Sequence, residues 1–442
     1  MNLEEKLRQL RNAAQKTTRD LELERQLDYL RRLEPSPRRL PAERVPHGIE
    51  EYVEGLVERN ERGEYFVARQ GLPFGRPYGK LRVSDLSAAD LSPLDLLFES
   101  TALPDPSRLV YLDTETTGLA GGTGTCAFLI GLGAIEGSQF AVRQFFVRDY
   151  PEEKAVLAAL ADVLTGYEGI VTFNGKTFDL PLLETRYALA RMKSPFARLL
   201  HLDLLHPARQ VWKLRLESCQ LTNLEKEVLK IRRQGDVNGS EIPQIYFDYL
   251  RTGNARGLQP VFYHNALDII TLAGLTVEMA RLIGAGCAEG AGGAVEFDSN
   301  LDLFGLSRLY QRHGALDRSV EACRRALRAG LPQSVEPRAL WQLASQHKRR
   351  REYEAAAAIW VQLTLRDDDF TIAALEELAI HYEHRRRDAP AALSYVEAAL
   401  NIPVGRPGGG VGGGAGALSP RHRGRFLHRL SRLRRKQEKL KV

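Results

Sequence analysis

Apolar positions change their spacing along this chain, and each change marks a different kind of structure. Between residues 109 and 173 the apolar runs are short, rich in β-branched and aromatic side chains, and bounded by turn residues: Leu109–Asp113, Phe128–Ile135, Gln139–Val147 and Gly169–Phe173. Such runs read as strands, and a short glycine-containing turn such as Glu136-Gly-Ser138 makes the first three an antiparallel meander. Glu152–Leu164 has helical spacing and predicts a helix crossing to the fourth strand, beside the first. Helical spacing returns over Leu182–Leu189 and in the run that opens at Tyr263.

From about residue 300 the pattern repeats. Leu309, Leu343 and Leu378 lie 34 and then 35 residues apart, and Ala322 and Ala356 repeat at 34. Each unit holds two helical patterns, and a period near 34 built from helix pairs is the tetratricopeptide signature. Three units are the minimum for a stacked core. Gly405–Gly416 reads as a flexible tether, and Phe426, Leu427, Leu430 and Leu433 then recur at helical spacing among ten Lys or Arg residues between Arg421 and Val442. Arg349–Arg351 and Arg385–Arg387 occupy equivalent positions in successive repeats and could build a basic ridge.

These shifts divide the chain into a charged helical or irregular extension over 1–100, an α/β domain over 101–283, and a Gly-rich linker over 284–299. Helical repeats over 300–402, a Gly-rich tether over 403–419 and a basic helical tail over 420–442 follow. In the extension, Leu3–Leu33 is a charged helical pattern broken by Pro35 to Pro41. Gly48–Gly71 predicts a short helix and a strand, Glu64–Arg69, packed against the α/β core.

Chemistry enters at Leu109-Val-Tyr-Leu-Asp-Thr-Glu-Thr-Thr-Gly118. Positions i and i+2 of a strand share a face, so Asp113 and Glu115 project together while Thr114 and Thr116 point away. Adjacent carboxylates repel unless a cation lies between them. Mg²⁺ or Mn²⁺ suits such hard oxygen donors. Asp179 follows the Asn174-Gly175 turn just before a helix, and Asp268 lies near the start of another. Four acids, two on one strand and two near helix starts, would cage two divalent ions, which about 3.5–4 Å apart activate a water and stabilise a leaving oxygen in phosphoryl displacement.

This order of motifs resembles the exonuclease branch of the ribonuclease H-like superfamily, the DEDD exonucleases, over roughly residues 105–285. Asp113-Thr-Glu115-Thr-Thr-Gly118 and Asn174-Gly-Lys-Thr-Phe-Asp179 carry the likeness. Leu202–His206, Leu221–Glu225, Gly239–Pro243 and Tyr246–Leu250 extend it to the bacterial YprB-like ribonuclease H-like proteins, which tend to carry C-terminal tetratricopeptide repeats. The resemblance implies an α/β ribonuclease H-like fold, a mixed sheet with helices on both faces, followed by an all-α tetratricopeptide-like solenoid. It implies Asp113, Glu115, Asp179 and Asp268 as ligands of two Mg²⁺ or Mn²⁺ ions. Thr114, Thr116, Gly118, Asn174 and Lys176 are the candidate substrate contacts.

The general-base position departs from the family pattern, which has Tyr four or His five residues before the last Asp. Here His264 lies four before Asp268 and Tyr263 five before it. His264 has the nearer-neutral ordinary pKa and is the favoured base, with Tyr263 the alternative. Helical geometry separates the two by about 100° and lets only one reach the site.

A net charge of +6 suits a phosphate-backbone partner. Four Cys without Cys-x-x-Cys spacing point to reduced, buried thiols. With no long apolar run and a charged N-terminus, a membrane or secretory location is not expected, which leaves the cytoplasm. The expected activity is metal-dependent 3′→5′ exonucleolytic hydrolysis of single-stranded DNA or RNA from an end. The alternatives are a nucleic-acid-binding module with weak or no catalysis, or a scaffold whose repeats recruit a protein partner.

Overall fold

A computed structural model describes residues 48–98, 102–118, 124–285, 297–366, 368–403 and 418–441. The helix expected over Leu3–Leu33 lies outside these residues, as do most of the Gly-rich linker and of the tether.

Strands β1 (Gly55–Asn60), β2 (Gly63–Pro73), β3 (Leu109–Thr116), β4 (Ala127–Glu136) and β5 (Gln139–Phe146) precede helix α1 (Glu153–Leu164). Then come β6 (Gly169–Thr172), α2 (Asp179–Leu189), β7 (Leu200–Asp203), α3 (Leu205–Trp212), α4 (Ile242–Thr252) and α5 (Gln259–Ala285). One seven-stranded sheet has the order β1-β2-β5-β4-β3-β6-β7. The expected meander β3-β4-β5 is antiparallel, and β6 lies parallel to β3. The strand expected merely to pack on the core enters the sheet itself, since β2 pairs with β5 from Phe66↔Phe146 to Pro73↔Gln139.

Residues 109–112 of β3 are all buried, and their alternation assigns them to two cores. Leu109 and Tyr111 join the core built with α3 and α5, including Ala208, Ile269 and Ala273. Val110 and Leu112 join the opposite core with α1 and α2, including Val156, Leu160 and Leu183. The sheet is thus mixed and covered on both faces, as expected.

Helices α6 (Asn300–Arg312), α7 (Leu316–Arg328), α8 (Glu336–Arg349), α9 (Tyr353–Thr364), α10 (Thr371–His381) and α11 (Ala389–Leu400) form three consecutive pairs. Within each pair the first helix leads into a left-handed residue: Gly314 at φ 78°, Arg351 at 63° and Arg387 at 56°. Both arginine runs are exposed, and part of each is engaged by neighbouring side chains. Arg350 pairs with Asp317 at 3.0 Å, Arg386 with Glu354 at 2.6 Å, and Arg385 stacks 4.2 Å from the Tyr353 ring centre.

Repeats and sheet domain meet through α6 and α3. Gly305 makes this possible: a Cβ there would stand 2.1 Å from the Val211 carbonyl oxygen. Arg215 Nε donates to both oxygens of the buried Asp302 at 2.9 and 3.0 Å across the same junction. The basic tail is helix α12 (Pro420–Lys441), which buries Phe426 and Leu433 against Ile372 and Val396 of the last pair. Among the described residues no helix is long and apolar enough to cross a membrane.

Candidate active site

The alternation that turns Leu109 and Tyr111 toward α5 carries Asp113 and Glu115 to the same face, where the strand ends. Asp113 Oδ2 accepts a hydrogen bond from Asn265 Nδ2 at 2.8 Å. Asn265 Oδ1 accepts in turn from Gln144 Nε2 at 2.9 Å, and Gln144 also reaches the Phe262 carbonyl at 2.8 Å. Gly131 faces Asp113 in register on β4. A Cβ there would lie 2.2 Å from Asn265 Oδ1 and 2.3 Å from Ile269 Cδ1, so glycine lets α5 approach the sheet.

Thr114 points to the other face, as expected, and donates its hydroxyl to Asp179 Oδ1 at 2.5 Å. Asp179 is itself the first residue of α2. The acids therefore approach the end of β3 from opposite sides of the sheet. Thr116 Oγ1 donates to the Gly118 carbonyl at 3.0 Å and shapes the strand exit. Asn174, at φ 68°, and Lys176 donate their backbone N–H groups to Asp203 at 2.8 and 3.0 Å. Lys176 leaves its side chain exposed.

Asp268 was expected near a helix start, but α5 begins at Gln259 and places it in the third turn. Buried Val261 and Phe262 extend the helix upstream by packing into the core on the α1 side. Arg233, 8% exposed at its side chain, bonds to Asp268, to Glu225 at 2.6 Å and to Asp236 at 3.1 Å. His264 is 9% exposed, with Nδ1 2.8 Å from Asp236 Oδ1 and Nε2 3.5 Å from Asp268 Oδ2. An ionised carboxylate only accepts, so the Nδ1 proton faces Asp236, while Nε2 is turned to the Asp268 side. Tyr263 is 41% exposed and makes no side-chain hydrogen bond among the described residues.

The electrostatics follow from crowding. Burial, then the charges of Asp268, Glu115 and Asp179, holds the Asp113 carboxyl well above its ordinary range, with Asn265 opposing. Burial and the charges of Asp268, Asp179 and Asp236 do the same to Glu115, against the pull of Arg233. Asp179 is pushed up to about 6 by burial, against the Thr114 hydrogen bond. Ionised, the site carries more negative charge than Arg233 offsets, and a cation would balance the rest.

The expected cage is not preformed. Among the described residues no three acidic, imidazole or thiol groups converge as a ligand cluster. Asp113 is turned to Asn265, Asp179 to Thr114 and Asp268 to Arg233. The donor chemistry nevertheless fits a hard divalent cation, because every candidate is a carboxylate whose ionised form gains from it.

Sequence reading passed over Arg233, Asp236, Asn265 and Gln144. Asn265 had a signal, since it lies three residues before Asp268 and therefore on a neighbouring helical position. Asp236, in the turn-like Gly235-Asp-Val-Asn-Gly239, and Arg233 lie in a stretch without apolar periodicity to mark them.

Residues 110–280 match the family model described as the RNase_H superfamily. The chain is 28% identical over 332 residues, 75% of each chain, to a protein of Bacillus subtilis (strain 168) with the name "Uncharacterized protein YprB". It is also similar to the solved family B DNA polymerase of the hyperthermophilic archaeon Pyrobaculum calidifontis, at TM-score 0.33 and 13% identity over 57% of this chain. It spans 34% of that polymerase. The family match coincides with the sheet from β3 onward and with the helix that bears Asp268, so residues 110–280 form a mixed α/β domain similar to the ribonuclease H superfamily, followed by a helical C-terminal region.

Proposed function

We propose that the chain is a metal-dependent nuclease, a 3′→5′ exonuclease that hydrolyses phosphodiester bonds of single-stranded DNA or RNA by a two-metal mechanism. The observation that carries this reading is that Asp113 and Glu115 share the α5 face of β3 within electrostatic reach of Asp268 and Asp179, with His264 beside Asp268. Asp113, Glu115, Asp179 and Asp268 would hold two Mg²⁺ or Mn²⁺ ions. When bound, such ions supply charge for the attacking and leaving oxygens.

The chain's own residues do the rest. His264, oriented through Nδ1 by Asp236, presents Nε2 to take a proton from water at the Asp268 side. Asn265 and Gln144 fix the Asp113 carboxylate, and Thr114 fixes Asp179. Phe178, 54% exposed next to Asp179, offers a face for a terminal base. The three helix pairs are read as tetratricopeptide repeats that could take a protein partner, and the cytoplasm as the site of action.

A second reading, a nucleic-acid-binding module with weak or no catalysis, is favoured by one observation: Arg233 already neutralises Asp268. End-labelled single- and double-stranded DNA and RNA, incubated with Mg²⁺, Mn²⁺ or EDTA, separate the two. The exonuclease reading expects metal-dependent shortening of single strands from the 3′ end, abolished in Asp113→Ala and in Asp179→Ala. Binding without shortening in any metal supports the second reading. Full activity in both variants with unchanged metal dependence removes the acids from the mechanism.

A further inference from the structure

On the outer side of the Asn174–Asp179 loop, a cleft of about 480 Å³ runs between the edge of the sheet and the first repeat helix. Lys176 enters it from the loop, His206 from α3, and Arg312 and His313 from the end of α6, with Phe98 on its wall. Lys176, His206, Arg312 and His313 are exposed, and among the described residues neither cation has an acidic partner. One carboxylate borders the cleft, and it is already engaged: Asp203 accepts the backbone N–H groups of Asn174, Lys176 and Leu205 at 2.8, 3.0 and 3.0 Å. The positive potential is therefore open to a ligand from solvent. It is felt locally, because burial and then the Lys176 charge push the His201 imidazole down to about 4, and burial and then Arg312 lower His313.

Two unopposed cations beside an aromatic ring match one phosphate and one base of a flexible strand. Lys176 lies on the loop that bears Asp179 and Arg312 at the end of α6, so a strand reaching the acids could continue across the domain junction. We propose that this cleft binds a nucleotide of single-stranded nucleic acid, its phosphate between Lys176 and Arg312 and its base against Phe98. The assignment rests on the reading of the chain as a protein that acts on nucleic acid. It gives the close α3–α6 packing a purpose, since Arg312 and Lys176 come from different domains and share a cleft because those helices touch.

The test is fluorescence anisotropy of labelled oligo-dT and oligo-U with the full chain in EDTA, titrated at several salt concentrations. Lys176→Gln with Arg312→Gln is compared with a control that removes two cations of the β1–β2 hairpin, Arg59→Gln with Arg62→Gln. Both cleft cations are exposed, so the fold should survive, and circular dichroism checks it. Loss of the phosphate contact should lower the slope of log K against log salt by about 0.7 relative to wild type, with the control unchanged. Phe98→Leu should weaken binding by about 5- to 150-fold, the range expected for one stacked base. Wild-type binding with cleft variants indistinguishable from the control overturns the cleft assignment and leaves the acid site standing. Failure of the wild type to bind either oligonucleotide overturns the nucleic-acid reading, and the cleft with it.

Discussion

His264 and Tyr263 are neighbours on α5 yet live in different environments. One is held between Asp236 and Asp268, and the other stands in solvent. If His264 takes the proton from attacking water, His264→Ala should lose activity by about 10²–10⁴-fold. Mn²⁺ binding, followed by calorimetry, should persist in that variant. Tyr263→Phe should cleave within about twofold of wild type, because general-base rate factors come only from the group that reaches the proton. The reverse ranking in the same gel assay would move the base to Tyr263. The two candidates were legible in the sequence, and the 100° offset between them was too. Which one faces the acids depended on how α5 rolls on the sheet, and Asp236 is 28 residues away from His264.

At the scale of elements, close approach decides more than propensity does. Gly131 sits opposite Asp113 under α5, so Gly131→Ala must push Asn265 and Ile269 away or bend β4. Overpacking of this kind costs about 1–3 kcal/mol. Urea unfolding should show that loss, and the Asn265 bond to Asp113 should be disturbed with it. The tail helix gives a different case. Glu383, 1% exposed at its side chain, is pushed up by burial but pulled down to about 2 by the hydrogen bonds of Arg432 and Lys436. A carboxyl whose folded pKa is depressed stabilises the fold above its unfolded value, and that contribution fades as pH falls toward the folded one. Glu383→Gln should therefore release α12 at neutral pH, seen as faster proteolysis after Pro403. The difference from wild type should be full above about pH 4.5 and shrink steadily toward pH 2. An equal difference at pH 7 and pH 2.5 would assign it to packing instead. The Leu and Phe face of α12 folds back on the repeats, and three of its cations are spent on one buried acid.

For the whole molecule the junction at Gly305 is the sensitive point. A Val there would place its Cβ about where the Val211 carbonyl already sits, so α6 and α3 must separate. Gly305→Val should raise the radius of gyration in solution scattering. It should also weaken oligonucleotide binding in the same direction as Lys176→Gln with Arg312→Gln, because it parts the two sides of one cleft. A variant that keeps wild-type scattering and binding would show that the junction tolerates the added bulk.

The local periods of the chain determined a great deal by themselves. Alternation in β3 placed Asp113 with Glu115 and opposed Thr114, and a 34-residue period announced the helix pairs, because both are properties of neighbouring residues. Tertiary structure alone decided what spans distance. The β1–β2 hairpin became part of the sheet, Arg233 came to Asp268 across 35 residues, and Gln144 came to Asn265 across 121. A period records which face of an element is apolar, but it does not record which polar side chain another element will bring to that face. Lys176 and Arg312 share a cleft for the same reason: their meeting is set by helix packing at Gly305, where the absence of a side chain gives no local pattern to read.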